Sequence, residues 1–193
     1  MRAGWGALLL ALGACSPAPA PKKAAVPVIT EQGVGRYFPL EDATVFSYST
    51  RTEPSGEQGL LVLEVRRPRP DAAELWVAGR AQRLTVSAEA LELATGGSLL
   101  RAPLEAGSEY QGNFGRVRVT RVGFPSRVEA GEFSDCLETV ETLVAGTASR
   151  VTTTVFCAGA GIVSRRSEAD SDEGQALESM ELRSYGKKVV FVQ

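Results

Sequence analysis

Two of the three cysteines in this 193-residue chain, Cys136 and Cys157, stand at equal distances from the pair Gly146-Thr147. If the flanking segments form a hairpin, opposed residue numbers add to 293, and Gly146 takes the first central position that a type II′ turn favours. Counting outward from Ala145 and Ala148 as a hydrogen-bonded pair makes Cys136 and Cys157 a non-hydrogen-bonded pair, with Cα atoms about 4.5 Å apart. That separation lies at the lower edge of disulfide geometry, about 4.4 to 6.8 Å. The same register sets Leu137 against Phe156. A chain pinned in this way is committed to antiparallel pairing here; two buried free thiols are the alternative.

Other segments agree with a β architecture. Thr44 to Thr52 (T-V-F-S-Y-S-T-R-T) reads as a strand, E-P-S-G-E-Q-G as a turn, and Leu60 to Arg67 as the partner strand. Further strands are expected at Glu74 to Val77, Arg116 to Val122, Phe133 to Ala145, Val151 to Cys157, Ile162 to Glu168, Leu177 to Tyr185 and Val189 to Val192. The stretch from Ser87 to Gly97 could form a short helix with a serine cap and a glycine stop, but is read as a strand. The expected class is all-β, an antiparallel sandwich, half-barrel or barrel with little or no helix in the mature body. Residues 33 to 193 suit a single domain. There is also a faint echo. Pro39-Leu40-Glu41 leads to Phe46 and Pro103-Leu104-Glu105 to Tyr110, each aromatic seven residues after its proline, as in two similar halves or two unrelated strand entrances.

The N-terminus has its own logic. Arg2 followed by the uncharged run Ala3 to Leu12 has the order of a secretory signal, and the run falls short of the roughly 20 apolar residues that span a bilayer. Leu12-Gly13-Ala14-Cys15 then resembles the lipobox of bacterial lipoproteins. The resemblance implies a signal peptide over residues 1 to 14, cleavage before Cys15, and acylation of the Cys15 thiol with palmitate-type chains that anchor the protein in a membrane. The alternative is ordinary cleavage that leaves Cys15 free. Residues 15 to 32 are the expected tether, and the thirteen residues after the cysteine, S-P-A-P-A-P-K-K-A-A-V-P-V, suit an extended reach of roughly 40 Å, at about 3.1 Å per residue. Ser16 follows the cysteine, and by the retention rule of Gram-negative lipoproteins the absence of aspartate there implies the bacterial outer membrane. Export also makes the Cys136–Cys157 bridge expected.

With 21 basic and 23 acidic residues and no basic block, nothing suggests a nucleic-acid partner. The chain has no histidine, which removes histidine triads, histidine metal sites and the usual general base. An enzyme is therefore not expected, though carboxylate chemistry stays open.

Y-F-P-L-E-D-A-T-V-F-S-Y, from Tyr37 to Tyr48, resembles the opening of a loose group of secreted bacterial domains of unassigned function. In that group Tyr-Phe-Pro-Leu precedes Gly-Asn and then a tryptophan and a tyrosine two residues apart; Ala43, Thr44 and Phe46 stand in the first three of those places here. Cys157 to Val163 (C-A-G-A-G-I-V) resembles the group's Gly-x-Gly-Leu-Val segment, with Ala158 in place of a proline. Pro103 to Gly107 and Glu181 to Tyr185 fit its middle segment and closing strand. The resemblance implies an all-β extracytoplasmic domain and no reaction.

Three other motifs have structural readings. Gly159 to Ser164 could suggest a phosphate loop, but a strand follows where a helix is needed, so a turn or bulge is expected. Glu168, Asp170, Asp172 and Glu173 could suggest calcium, yet Gln175 occupies the place where an EF-hand loop started at Asp170 needs glycine, so a solvated hairpin tip fits better. Arg116, Arg118, Arg121 and Arg127 read as an exposed strand face. No cofactor, metal or catalytic residue is assigned. The functional expectation is a lipid-anchored envelope protein that binds or structurally engages an envelope protein or a lipid. A carrier of a hydrophobic ligand in a curved sheet is the alternative, and a carboxylate-dependent hydrolase ranks third.

Overall fold

The computed structural model describes residues 33–172 and 174–188; Cys15, the tether and the expected strand from Val189 to Val192 lie outside that range. A one-turn helix α1 (Val34–Tyr37) precedes β1 (Thr44–Glu53), β2 (Glu57–Arg69), β3 (Ala72–Val77), β4 (Arg80–Val86), β5 (Ala90–Leu93) and β6 (Ser98–Arg101). The second run comprises β7 (Glu109–Gln111), β8 (Arg116–Val128), β9 (Gly131–Ala145), β10 (Ala148–Cys157), β11 (Gly161–Ser171) and β12 (Gly174–Lys187). These form one antiparallel 12-stranded sheet in the order β6-β5-β4-β3-β2-β1-β12-β11-β10-β9-β8-β7. Every strand therefore lies beside its sequence neighbour except at β6 and β7, while β1 pairs with β12. The result is an up-and-down barrel with one seam.

The seam has a local cause. The β6–β7 linker turns onto β8 instead, Gly107 donating its amide to the Val119 carbonyl (2.8 Å) and Val119 donating to that of Ser108 (2.9 Å). The gap is bridged by the Tyr110 hydroxyl donating to the Leu99 carbonyl (3.3 Å) and by close backbone approach: a Cβ on Gly97 would sit 1.9 Å from the Gly112 oxygen. Each Pro-Leu-Glu segment stands ahead of the first strand of a six-stranded run, β1 or β7, and its later aromatic, Phe46 or Tyr110, is buried.

The hairpin register deduced from the cysteines is observed. Ala148 pairs with Ala145, Phe156 with Leu137 and Cys157 with Cys136, and Gly146 has φ 62°. Cys136 and Cys157 form a disulfide, with Cα atoms 4.0 Å apart, closer than the 4.5 Å of an ideal pair. Several strands are longer than expected, since pairing continues through flanking polar residues. β4, β6 and β7 were not expected at all: the first four residues of β4, Arg80 to Arg83, are exposed, three of them polar, and β6 and β7 have only 4 and 3 residues. Ser87 to Gly97 is not a helix; the Ser87 hydroxyl takes the Ala90 amide (2.9 Å) in a turn, and Gly96-Gly97 joins β5 to β6.

Curvature comes from bulges. Arg183 is an extra residue in β12 against β1, Val163 in β11 against β10, and the β8–β9 ladder shifts three times. Inward positions alternate with outward ones as in any barrel. At one end they are large and apolar: Phe46, Tyr48, Phe156, Leu137, Val65 and Leu182 are all at most 1% exposed. The segment from Val34 to Leu40 closes this end. Phe38 meets Phe46 edge-on at 6.0 Å and Phe156 at 6.3 Å, and Val34 is held by its amide bond to the Ala88 carbonyl (3.2 Å).

Candidate functional site

Three of the strands that contribute to the packed end change character along their inward positions. On β9 the series runs Leu137, Thr139, Glu141; on β10, Phe156, Thr154, Thr152, Arg150; on β11, Val163, Arg165, Ser167. Their registers place these changes side by side, Thr139 opposite Thr154 and Thr154 opposite Arg165. The barrel interior is thus a solid apolar plug below and a polar lumen above. A cavity of about 290 Å³ opens there, walled by Leu93, Leu99, Val117, Phe156 and Ile162 on its apolar side and by Thr139, Glu141, Arg150, Thr152, Thr154 and Arg165 on its polar side.

Most polar groups in the lumen are committed. One Glu141 carboxylate oxygen accepts the Phe114 amide (2.7 Å) and the Gly115 amide (3.0 Å), drawing the β7–β8 turn over the opening. This contact needs the two glycines of G-N-F-G: a Cβ on Gly112 would lie 2.4 Å from that oxygen, and one on Gly115 2.0 Å from the Thr142 carbonyl. Thr152 and Ser167 share a buried hydroxyl hydrogen bond (3.1 Å). The Arg150 guanidinium lies 5.9 Å from the centre of the Phe114 ring, which is 46% exposed at the mouth. Arg150 has that ring contact but no hydrogen bond or ion pair among the described residues, and Arg165 lacks the ring contact as well. Arg165 is partly buried, lines the cavity, and among the described residues makes no hydrogen bond or ion pair. Burial disfavours its charged form, the Glu141 carboxylate offsets this, Arg150 adds to it, and Glu178 offsets again. An arginine stays protonated regardless.

The residues singled out in the sequence lie elsewhere. The disulfide sits at the closed end, beside Asp135, which accepts the Tyr37 hydroxyl (3.0 Å) and an ion pair from Arg36. Burial raises the pKa of Tyr37, and the hydrogen bond to Asp135 raises it further. Gly159 to Ser164 is the expected turn and strand; Gly161, at φ 85°, faces the Phe38 ring. Glu168 and Asp170 lie on β11 and Asp172 at the β11–β12 tip, where it accepts the Thr147 hydroxyl (3.1 Å). Arg116, Arg118, Arg121 and Arg127 are exposed on β8, and three of them pair with Glu109, Glu138 and Glu132. Glu41 is exposed and paired with Lys187 (2.8 Å), and Glu105 is exposed in the β6–β7 linker. Neither faces the lumen opening. The lumen residues had a readable signal: stepping by two from Leu137 opposite Phe156 gives Thr139 opposite Thr154 and Glu141 opposite Thr152, an inward face turning polar.

Two wider depressions, of about 450 and 570 Å³, lie against Asp42, Glu64 and Glu74 and against Glu53, Ser149 and Asp170. In the first, Glu64 is held by Lys188 (3.0 Å) and Arg66 (3.2 Å), whose hydrogen bonds lower its pKa, and Glu74 accepts the Trp76 indole N–H (3.0 Å).

No protein-family model and no curated protein matches the chain. Among solved structures, a "putative lipoprotein" from Parabacteroides distasonis aligns with a TM-score of 0.50 at 11% identity, covering 78% of this chain and 98% of that one. A "putative exported protein with YmcC-like fold" from Bacteroides fragilis aligns with a TM-score of 0.47 at 13% identity, covering 76% and 97%. The Parabacteroides likeness is one of fold.

Proposed function

We propose that this chain is a lipid-anchored binding protein of the bacterial outer membrane, in which a rigid barrel tethered through Cys15 presents an open lumen to an envelope component, without catalytic turnover. The carrying observation is the asymmetry of the barrel: one end is packed solid and capped by residues 34 to 40, and the other holds the cavity above Arg165. Such a shape suits retention of a ligand. The outer faces of the strands carry charges such as Glu64, Arg66, Arg83, Arg121, Glu138 and Arg166, unlike the apolar band of a lipid-facing barrel, so attachment falls to the acylated N-terminus. The lipobox resemblance, the Pro/Ala-rich tether and a fold shared with a structure described as a lipoprotein support the address. The half-polar lining favours this reading over a purely hydrophobic carrier.

Two measurements test the proposal. Cys15→Ala should shift the protein from the outer-membrane to the soluble fraction and abolish incorporation of labelled palmitate; unchanged fractionation and labelling would refute the anchor. Crosslinking in intact cells should trap a specific envelope protein or lipid. Failure to trap anything, together with a hydrolase activity lost on substituting one carboxylate such as Glu41 or Glu105, would refute the binding role.

A further inference from the structure

We propose that the polar half of the lumen is a site for a single carboxylate carried on a small apolar body, with the Arg165 guanidinium seating the carboxylate. The inference rests on the binding role proposed above and names the ligand class. Arg165 projects from the inward face of β11 into the cavity, beside Thr154 across the β10–β11 ladder, with no hydrogen bond or ion pair among the described residues. Arg165 is half-buried and its guanidinium nitrogens still reach water in the open lumen, and a charge partly withdrawn from bulk water gains from an anion that joins it there. The planar guanidinium fork matches a carboxylate with two parallel hydrogen bonds.

The surroundings select the charge and size of the ligand. Arg150 and Arg165 are cationic and Glu141 is anionic, so the three charged lining residues leave one positive charge, which the Glu178 carboxylate beyond the lining reduces; the site therefore suits at most a monoanion. Glu141 is fixed in place by the Phe114 and Gly115 amides and cannot swing away, so it disfavours a dianion such as a phosphate monoester. Leu93, Leu99 and Phe156 form the wall against which an apolar body would lie. The volume of about 290 Å³ stands at the lower end of ligand cavities, about 300 to 1,000 Å³, which suits one short chain or one ring rather than a two-chain lipid.

The test is calorimetric titration of the mature chain from residue 15 carrying Cys15→Ser, which lacks the acyl chains and the apolar signal and so dispenses with detergent, using octanoate, octan-1-ol and octyl phosphate as probes. Octanoate should bind saturably at one site, and octan-1-ol and octyl phosphate about tenfold more weakly or less. Arg165→Met should weaken octanoate about tenfold or more and leave octan-1-ol unchanged. Arg165→Lys, which keeps the charge and loses the fork, should fall between and serves if the methionine variant does not fold. Equal binding of octanoate and octan-1-ol, tighter binding of octyl phosphate, or octanoate affinity indifferent to both substitutions would overturn the assignment. If octanoate fails to bind while cells still yield a specific crosslink, the ligand class falls and the binding role stands; absence of the crosslink removes the binding role itself.

Discussion

The two ends of the barrel are built from the same strands and obey opposite rules. At the closed end the inward residues of β1, β9, β10 and β12 are Phe46, Tyr48, Leu137, Phe156 and Leu182, all at most 1% exposed, and a capping segment inserts Phe38 among them. At the open end the next inward residues are threonine, glutamate and arginine around a cavity. The first arrangement buries apolar surface and pairs its polar atoms, as when the Tyr48 hydroxyl donates to the Ile162 carbonyl (3.1 Å). The second leaves the Arg165 guanidinium without a hydrogen bond or ion pair among the described residues. Stability is thus concentrated at one end of the barrel and the capacity to bind at the other.

Substitutions at the two ends should separate accordingly. Phe46→Ala removes a fully buried ring in contact with Phe38 and Tyr48, and should cost about 3 to 5 kcal/mol of unfolding free energy by chemical denaturation. A loss below about 1 kcal/mol would mean that the packed end is not the stabilising region. Reduction of the disulfide at the same end frees a hairpin with a sequence separation of 21 and should cost about 3 kcal/mol, lowering the denaturation midpoint without abolishing the fold. Peptide mapping of the exported protein should recover Cys136 and Cys157 joined.

An alkaline pH series probes the packed end. Burial raises the pKa of Tyr48. A group raised in the folded state contributes stability that is complete below its unfolded value, about 10 for tyrosine, and lost as the pH climbs above it. Thermal melts should therefore fall in alkaline solution. Tyr48→Phe should flatten that fall, the remainder belonging to Tyr110 and Tyr37, which burial also raises. A slope unchanged by the substitution would place the titrating group elsewhere. The smallest effect belongs to the open end: Arg165→Met should leave stability unchanged or raise it by about 1 kcal/mol, since it removes a desolvated charge without breaking a bond. A clear loss of stability would show that Arg165 has a structural partner.

Legibility in the sequence follows the same division. The closed end was readable because large apolar residues, the alternation T-V-F-S-Y and a symmetric cysteine pair each carry local information. The short strands β6 and β7 were not, because four and three residues hold too little periodicity, and β6 is defined by its partner and by the Gly96-Gly97 turn. The open end lay in between. Thr152, Thr154 and Arg165 look like ordinary exposed strand residues until the register places them inward above Phe156 and Val163. Whether the sheet closes into a barrel depends on the β1–β12 pairing, which joins residues far apart in the sequence, such as Thr44 and Lys187, and leaves no local trace.

The most direct measurement of the central claim is site-resolved photocrosslinking in living cells, with the photoreactive residue placed at Phe114 at the mouth of the lumen or at Glu41 beside the closed end. The account predicts a specific adduct from position 114, weakened by Arg165→Met, and none from position 41. The same adducts from both positions, or an adduct from position 41 alone, would contradict it.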